Sequence, residues 1–238
     1  MRFWESITAF GDSGVLLPAA ALISLWLVSA RQARLAARWC LTVAFVGTTV
    51  ALSKLLFMGW CLGLRSLDFT GLSGHAAMAG VVLPVLFHLG PMAFRGHRQK
   101  GSWLIGTCVA GLIGMSRLAL HVHSVSEVVG GLAFGLGCGA VFLHRADRSG
   151  KIAIGPQLAT IPLLILPGLL WLQPAPTQWL LEEIAILVSG QHAAYTRRHD
   201  ACESVDWQTQ HRPPLEPMAA GEAKTHSKNT RGLMPLLG

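Results

Sequence analysis

Long apolar runs separated by short polar stretches set the pattern of this chain. The runs fall at about 14–30, 41–60, 74–90, 102–120, 126–143 and 152–172, each close to the roughly 20 residues that cross about 30 Å of hydrocarbon. Inside a bilayer every backbone N–H and C=O must be satisfied within its own segment, so the runs are expected as helices. The expected fold is therefore all-α, an integral membrane helical bundle of six transmembrane helices.

Two shorter apolar stretches add to this picture. Trp179 to Val188 is too short to cross and reads as an interfacial helix, and Phe3, Trp4, Ile7 and Phe10 recur at helical spacing and predict a second one at the N-terminus. From residue 200 onward proline and charge dominate, which predicts a membrane domain over 1–199 followed by a mobile polar tail over 200–238. Pro156, Pro162 and Pro167 predict a kinked sixth span. Gly131, Gly135 and Gly139 strip one face of the fifth span, and Ala110 and Gly114 do the same on the fourth. The two helices are expected to pack closely on each other, although such faces serve equally between two chains, which leaves the oligomeric state open.

Composition supports the membrane reading: 52% of the 238 residues are hydrophobic and only 13% charged, far from the balance of a soluble domain. The formal charge of +7 does not point to nucleic acid, because the basic residues sit in short clusters between apolar runs instead of forming one stripe. Arg31/Arg34/Arg38, Arg95/Arg98/Lys100 and Arg145/Arg148/Lys151 occupy alternate connections. The positive-inside rule then places those connections in the cytoplasm, and the stretches 61–73 and 121–126 on the outer side. The expected setting is a bacterial inner membrane. Val28-Ser29-Ala30 resembles a cleavage site, but the arginines follow the first run instead of preceding it, which predicts a retained helix. Four of the five cysteines (Cys40, Cys61, Cys108, Cys138) lie in or beside apolar runs and are expected as small packing residues.

Against this apolar background the stretch SRLALHVHSVSEVVGG, residues 116 to 131, is dense in ionisable groups. Arg117 stands near the outer end of the fourth span, His121 and His123 in the connection, and Glu127 at the start of the fifth. One helical turn separates His123 from Glu127, so the carboxylate can hold the imidazole and fix its tautomer. A second cluster, Thr70-Gly71-Leu72-Ser73-Gly74-His75, precedes the third span on the same side. There Ser73 is a candidate N-cap, Gly74 allows close approach to the backbone, and the helix start can bind an anion. Lys54 is a charge inside the second span, either functional or snorkelling to headgroups, and Arg65 either joins it or pairs with Asp68. His88, alone near an inner helix end, reads as a helix-packing contact, while His121 is either a site wall or an interfacial polar residue. Histidines, side-chain cations, a helix N-terminus and an orienting carboxylate make the inventory for phosphoryl transfer through a phosphohistidine, with no metal ligand set and no cofactor required.

Ser116-Arg117, five residues, His123, three residues and Glu127 resemble the third signature of the type 2 phosphatidic acid phosphatase superfamily, and Ser73-Gly74-His75 resembles its second. The resemblance covers about residues 50–143. It implies that His123 is the nucleophile, Glu127 its orienting carboxylate, His75 the general acid, and Arg117 with Ser73 and Gly74 the phosphate-binding groups. Three positions depart from the family pattern: Glu127 stands where aspartate is usual, Leu72 where proline is usual, and Cys61 where the arginine of the first signature follows its lysine, here Lys54. Arg65 is the nearest substitute. The implied function is metal-independent hydrolysis of a lipid phosphate or pyrophosphate at the outer membrane interface. The alternative is a non-catalytic lipid-phosphate binder or transporter that keeps the anion pocket.

Overall fold

The computed structural model describes residues 2–95, 99, 101–148, 177–198 and 201–205. Helices α1 (Arg2–Ala9), α2 (Ser13–Ser29), α3 (Ala33–Trp60), α4 (Gly74–Arg95), α5 (Ser102–Ala119) and α6 (Val125–Arg148) follow one another along the chain. After them come α7 (Thr177–Ser189) and an antiparallel hairpin, β1 (Ala194–Arg198) with β2 (Ala201–Val205). Among the described residues five segments are long and apolar enough to cross a membrane: Arg2–Ser29, Ala33–Trp60, Gly74–Pro91, Ser102–Ala119 and Val125–Arg148. The sixth expected span, 152–172, lies outside the described residues, as does the tail from 206. The hairpin has no counterpart in the sequence reading, and β2 lies beyond the boundary drawn at residue 199.

The outward faces carry exposed Leu41, Phe45, Leu52, Leu104 and Val141, a distribution that would aggregate in water and is ordinary against lipid tails. Inside, α4 is the central helix, packed most extensively on α5 and α6, and its Ala76, Ala77, Ala79, Val81, Val82 and Val85 are fully buried. The Trp39 indole N–H of α3 donates to the Ala20 carbonyl of α2 at 2.8 Å, which satisfies a buried donor and ties those two helices.

Two expectations about packing and length are corrected. The glycine face of α6 is turned onto α4 and not onto α5: Cβ atoms at Gly131 and Gly139 would lie 2.8 Å from the Ser73 carbonyl oxygen and 3.3 Å from that of Val81, and one at Gly135 would collide with the Ala77 carbonyl. The reason is that α4 itself is built of small residues at the facing positions, so backbone meets backbone there. Gly114 of α5 does accept α6 side chains, Leu132 and Val128. The basic stretches, expected as loops, are largely helix ends: α3 begins at Ala33, ahead of Arg34 and Arg38, and α6 runs to Arg148. The long stems of arginine can lie along an apolar surface while their heads reach water, so they need not terminate a helix.

Alternation of helix direction gathers the polar groups. α2, α4 and α6 begin, and α3 and α5 end, at one end of the bundle, whereas Arg31, Arg34, Arg145 and Arg148 mark the other. His88 lies toward that second end, where its Nε2 is 3.2 Å from Asp147 Oδ1 across α4 and α6, the packing contact expected of it.

Gly135 and Gly137, two residues apart on α6, give a matched test of the close approach. Gly135→Ala is expected to lower stability by about 1–3 kcal/mol through overpacking, while Gly137→Ala, which meets open space, changes it little. Thermal unfolding in detergent reads both; equal midpoints would mean the α4–α6 contact is looser than described.

Candidate active site

Ser124 begins the site's construction. It precedes α6, and its hydroxyl accepts from the Glu127 N–H at 3.4 Å while Glu127 Oε2 accepts from the Ser124 N–H at 3.3 Å. This reciprocal pair is a capping box, S-x-x-E, and it satisfies two of the free donors at the helix start. The same carboxylate then does more. Oε2 also accepts from His123 Nδ1–H at 2.7 Å, and Oε1 accepts from the Thr70 N–H at 2.8 Å and from the Thr70 hydroxyl. Glu127 is fully buried. Its extra methylene over aspartate is accommodated because the side chain spans from its own helix cap to the loop ahead of α4.

That loop is fixed from two further directions. The Ser73 N–H donates to the Glu127 carbonyl at 3.2 Å, and the Leu72 N–H donates to Ser53 Oγ of α3 at 3.0 Å. Gly71 has φ +147°, and a Cβ there would press on Lys54 at 3.2 Å, so the loop needs glycine to lie flat on α3. Ser73 holds the N-cap position ahead of α4 but its hydroxyl does not cap. It is buried with no hydrogen-bond partner among the described residues, a correction to the expected capping role.

Around this scaffold a cavity of about 730 Å³ opens at the end of the bundle. His75 and His123, from separate segments, both line it, together with Lys54, Arg117, Glu127, Gly74 and Thr70. His121, with φ +55°, is one of its walls. Lys54 donates from Nζ to Gln178 Oε1 of α7 at 3.1 Å, so the lysine faces the cavity. Arg117 Nη1 donates to Thr8 Oγ1 of α1 at 2.8 Å, while its Nε is buried without a partner among the described residues. Arg65 opens the 3-10 turn Arg65–Leu67; its side chain lies outside the described residues.

Several contributors carried no sequence signal as site residues. Asp12, in the turn between α1 and α2, places Oδ2 3.9 Å from His75 Nε2. Thr8, Gln178 and Glu182 reach the site from α1 and α7, which the sequence offered only as interfacial helices. Tyr195 and Thr196 of β1 complete one wall, as β1 and α7 pack on α3 through Met58, Ala185 and Ala194. Thr70 stood in the quoted cluster without a role. The capping box was legible in principle, since Ser124 and Glu127 have the required spacing.

Cys61 corrects the reading of the cysteines as packing residues. It ends α3 in the left-handed conformation, with φ 55°, and is disulfide-bonded. Cys40, Cys108 and Cys138 are free. The chain's five cysteines, four of them in apolar surroundings, gave no framework spacing from which the bond could be read.

Electrostatically, His123 is held below the ordinary histidine pKa. Burial is the largest cause, and Lys54 and Arg117 add to it, while the hydrogen bond and charge of Glu127 act in the opposite direction. His123 is therefore neutral near pH 7, with Nδ1–H committed to Glu127 and Nε2 left with its lone pair.

The family model described as PAP2 superfamily matches residues 59–151, a stretch that contains Ser73, His75, Arg117, His123 and Glu127. An "Uncharacterized 22.5 kDa protein in cps region" of Klebsiella pneumoniae is 38% identical over 205 residues, 82% of this chain and 95% of that protein. Phosphatidylglycerophosphatase B of Bacillus subtilis (strain 168) is 32% identical over 143 residues, 55% of this chain and 67% of that protein. No solved structure matches. The chain belongs to the PAP2 superfamily.

The linkage between Glu127 and His123 has a direct readout. Glu127→Gln removes the charge that raises the His123 pKa, so NMR titration of labelled histidine should show His123 titrating at lower pH in the variant than in the wild type. An unchanged or higher value would contradict the contact.

Proposed function

We propose that the chain is a membrane phosphatase acting on a lipid phosphate or pyrophosphate through a phosphohistidine at His123. The observation that carries the reading is the convergence of His75 and His123 on one cavity, with Glu127 holding Nδ1 of His123. His123 Nε2 attacks phosphorus as the P–O bond to the lipid breaks, and the leaving oxygen takes a proton from His75. Water then attacks the phosphorus, giving its proton to His75, and the P–N bond breaks to return the electron pair to His123. Arg117, Lys54 and the N–H groups at the start of α4 stabilise charge on the non-bridging oxygens. Arg117 keeps a buried N–H without a partner among the described residues, a donor available to an anion. Side-chain cations supply the positive charge, so divalent metal is not required.

The membrane setting supports a lipid substrate, whose phosphate sits at headgroup depth while its chains stay in hydrocarbon. The cavity's end is assigned to the periplasm or exterior on two grounds. Arg31, Arg34, Arg145 and Arg148 lie at the opposite end of the bundle, in or next to the short connections between spans, and Cys61, which terminates α3, is disulfide-bonded, a bond that persists in oxidising compartments.

Detergent-purified protein with chelator present should release phosphate from a panel of lipid phosphates, and His123→Ala should abolish release. Binding without turnover would instead identify a lipid-phosphate binder. Since protonation removes the Nε2 lone pair and the His123 pKa is depressed, activity should persist to acid pH, with its acidic limb below the ordinary histidine value of about 6.5; a limb well above that value contradicts the assignment of the nucleophile. For sidedness, Leu72→Cys in intact cells should react with membrane-impermeant thiol reagents, and protection until the membrane is opened would reverse the topology.

A further inference from the structure

The proposed reaction needs His75 to carry a proton between turnovers, yet the ring is partly buried and its charged neighbours are mostly positive. Four groups act on it electrostatically: Arg117 from α5, Lys54 from α3, His123 from the α5–α6 connection, and Asp12 from the α1–α2 turn. The first three are cations or can become so, and each opposes a second positive charge at His75. Asp12 is the carboxylate among the four. Glu182 of α7 also lines the cavity, but its charge acts on Lys54.

Asp12 is built into this place. Its Oδ1 accepts from the Gly14 N–H at 2.7 Å and caps α2, which fixes the carboxylate and leaves Oδ2 3.9 Å from His75 Nε2. The turn can come this close because residue 11 is glycine: a Cβ there would lie 2.5 Å from Ile113 Cγ2 and 3.2 Å from the His75 ring. The same carboxylate acts on the charge of Arg117, whose Nη1 is held by Thr8 one turn earlier. The N-terminal helix and turn thus serve both the histidine and the arginine.

We infer that Asp12 is a positioning residue for the general acid: its carboxylate, oriented by the cap it makes on α2, favours the protonated form of the His75 imidazole opposite His123. The inference rests on the phosphatase reading for its purpose, though not for its test. In the first step His75 gives its proton to the leaving oxygen, and in the second it regains one from the attacking water; Asp12 favours the charged imidazolium at both ends of the cycle and is itself unchanged.

Asp12→Asn separates this role from a structural one, because asparagine caps a helix as well as aspartate does but carries no charge. NMR titration of labelled histidine, with His75 assigned through His75→Gln, should show the midpoint of His75 falling by about one unit in Asp12→Asn, with an unchanged thermal midpoint of the protein. The alkaline limb of the rate profile should move by the same amount. Asp12→Ser, which also caps, repeats the measurement if the asparagine variant does not fold. A His75 midpoint that stays in place in the variant overturns the inference. Wild-type protein that turns over no lipid phosphate would sink the phosphatase reading alone, since the titration decides the role of Asp12 without turnover.

Discussion

The site depends on one buried carboxylate. Glu127 receives hydrogen bonds from Thr70 through both its N–H and its hydroxyl, from the Ser124 N–H and from the His123 ring. Through these it joins the start of α6, the loop ahead of α4 and the imidazole in a single network. A buried carboxylate without such partners would be costly. Satisfied in this way it becomes a rigid junction, because moving any one element would leave a buried charge short of a donor.

Rigidity at this junction is matched by the close packing below it. The α6 glycines allow α4 to approach backbone to backbone, so the helix starts carrying His75 and Glu127 are set by main-chain contact instead of by flexible side chains. Lys54 and Arg117 then face a shared cavity from α3 and α5. Cations gathered in a partly desolvated space repel one another, and the arrangement is most favourable with an anion between them. Contacts from α1 and α7 hold the two cations in place through Thr8 and Gln178.

Much of this was legible in the sequence. The apolar runs gave the first five spans, because length and hydropathy are sufficient for a helix in lipid, and the spacing from His123 to Glu127 gave their contact, because one helical turn is a fixed distance. The partner of the α6 glycine face was not legible: a stripe of small residues says that something approaches closely without saying which helix. Asp12 was hidden by its distance of 63 residues from His75 in the chain and by its ordinary appearance as a helix cap. The disulfide at Cys61 was concealed by apolar neighbours that made the cysteine resemble a packing residue, and the hairpin by a composition that reads as a polar tail. Where an element's position depends on tertiary contact, as for α1 and α7, the sequence offered the helix and not the residues it delivers.

The measurement that bears most directly on the account is chemical trapping of the covalent intermediate. Purified protein mixed with a lipid phosphate carrying a labelled phosphoryl group and quenched in alkali should yield an acid-labile, alkali-stable label on the peptide that contains His123, with none in His123→Ala. Label on a different residue, or steady turnover with no trapped phosphohistidine at any quench time, would contradict it.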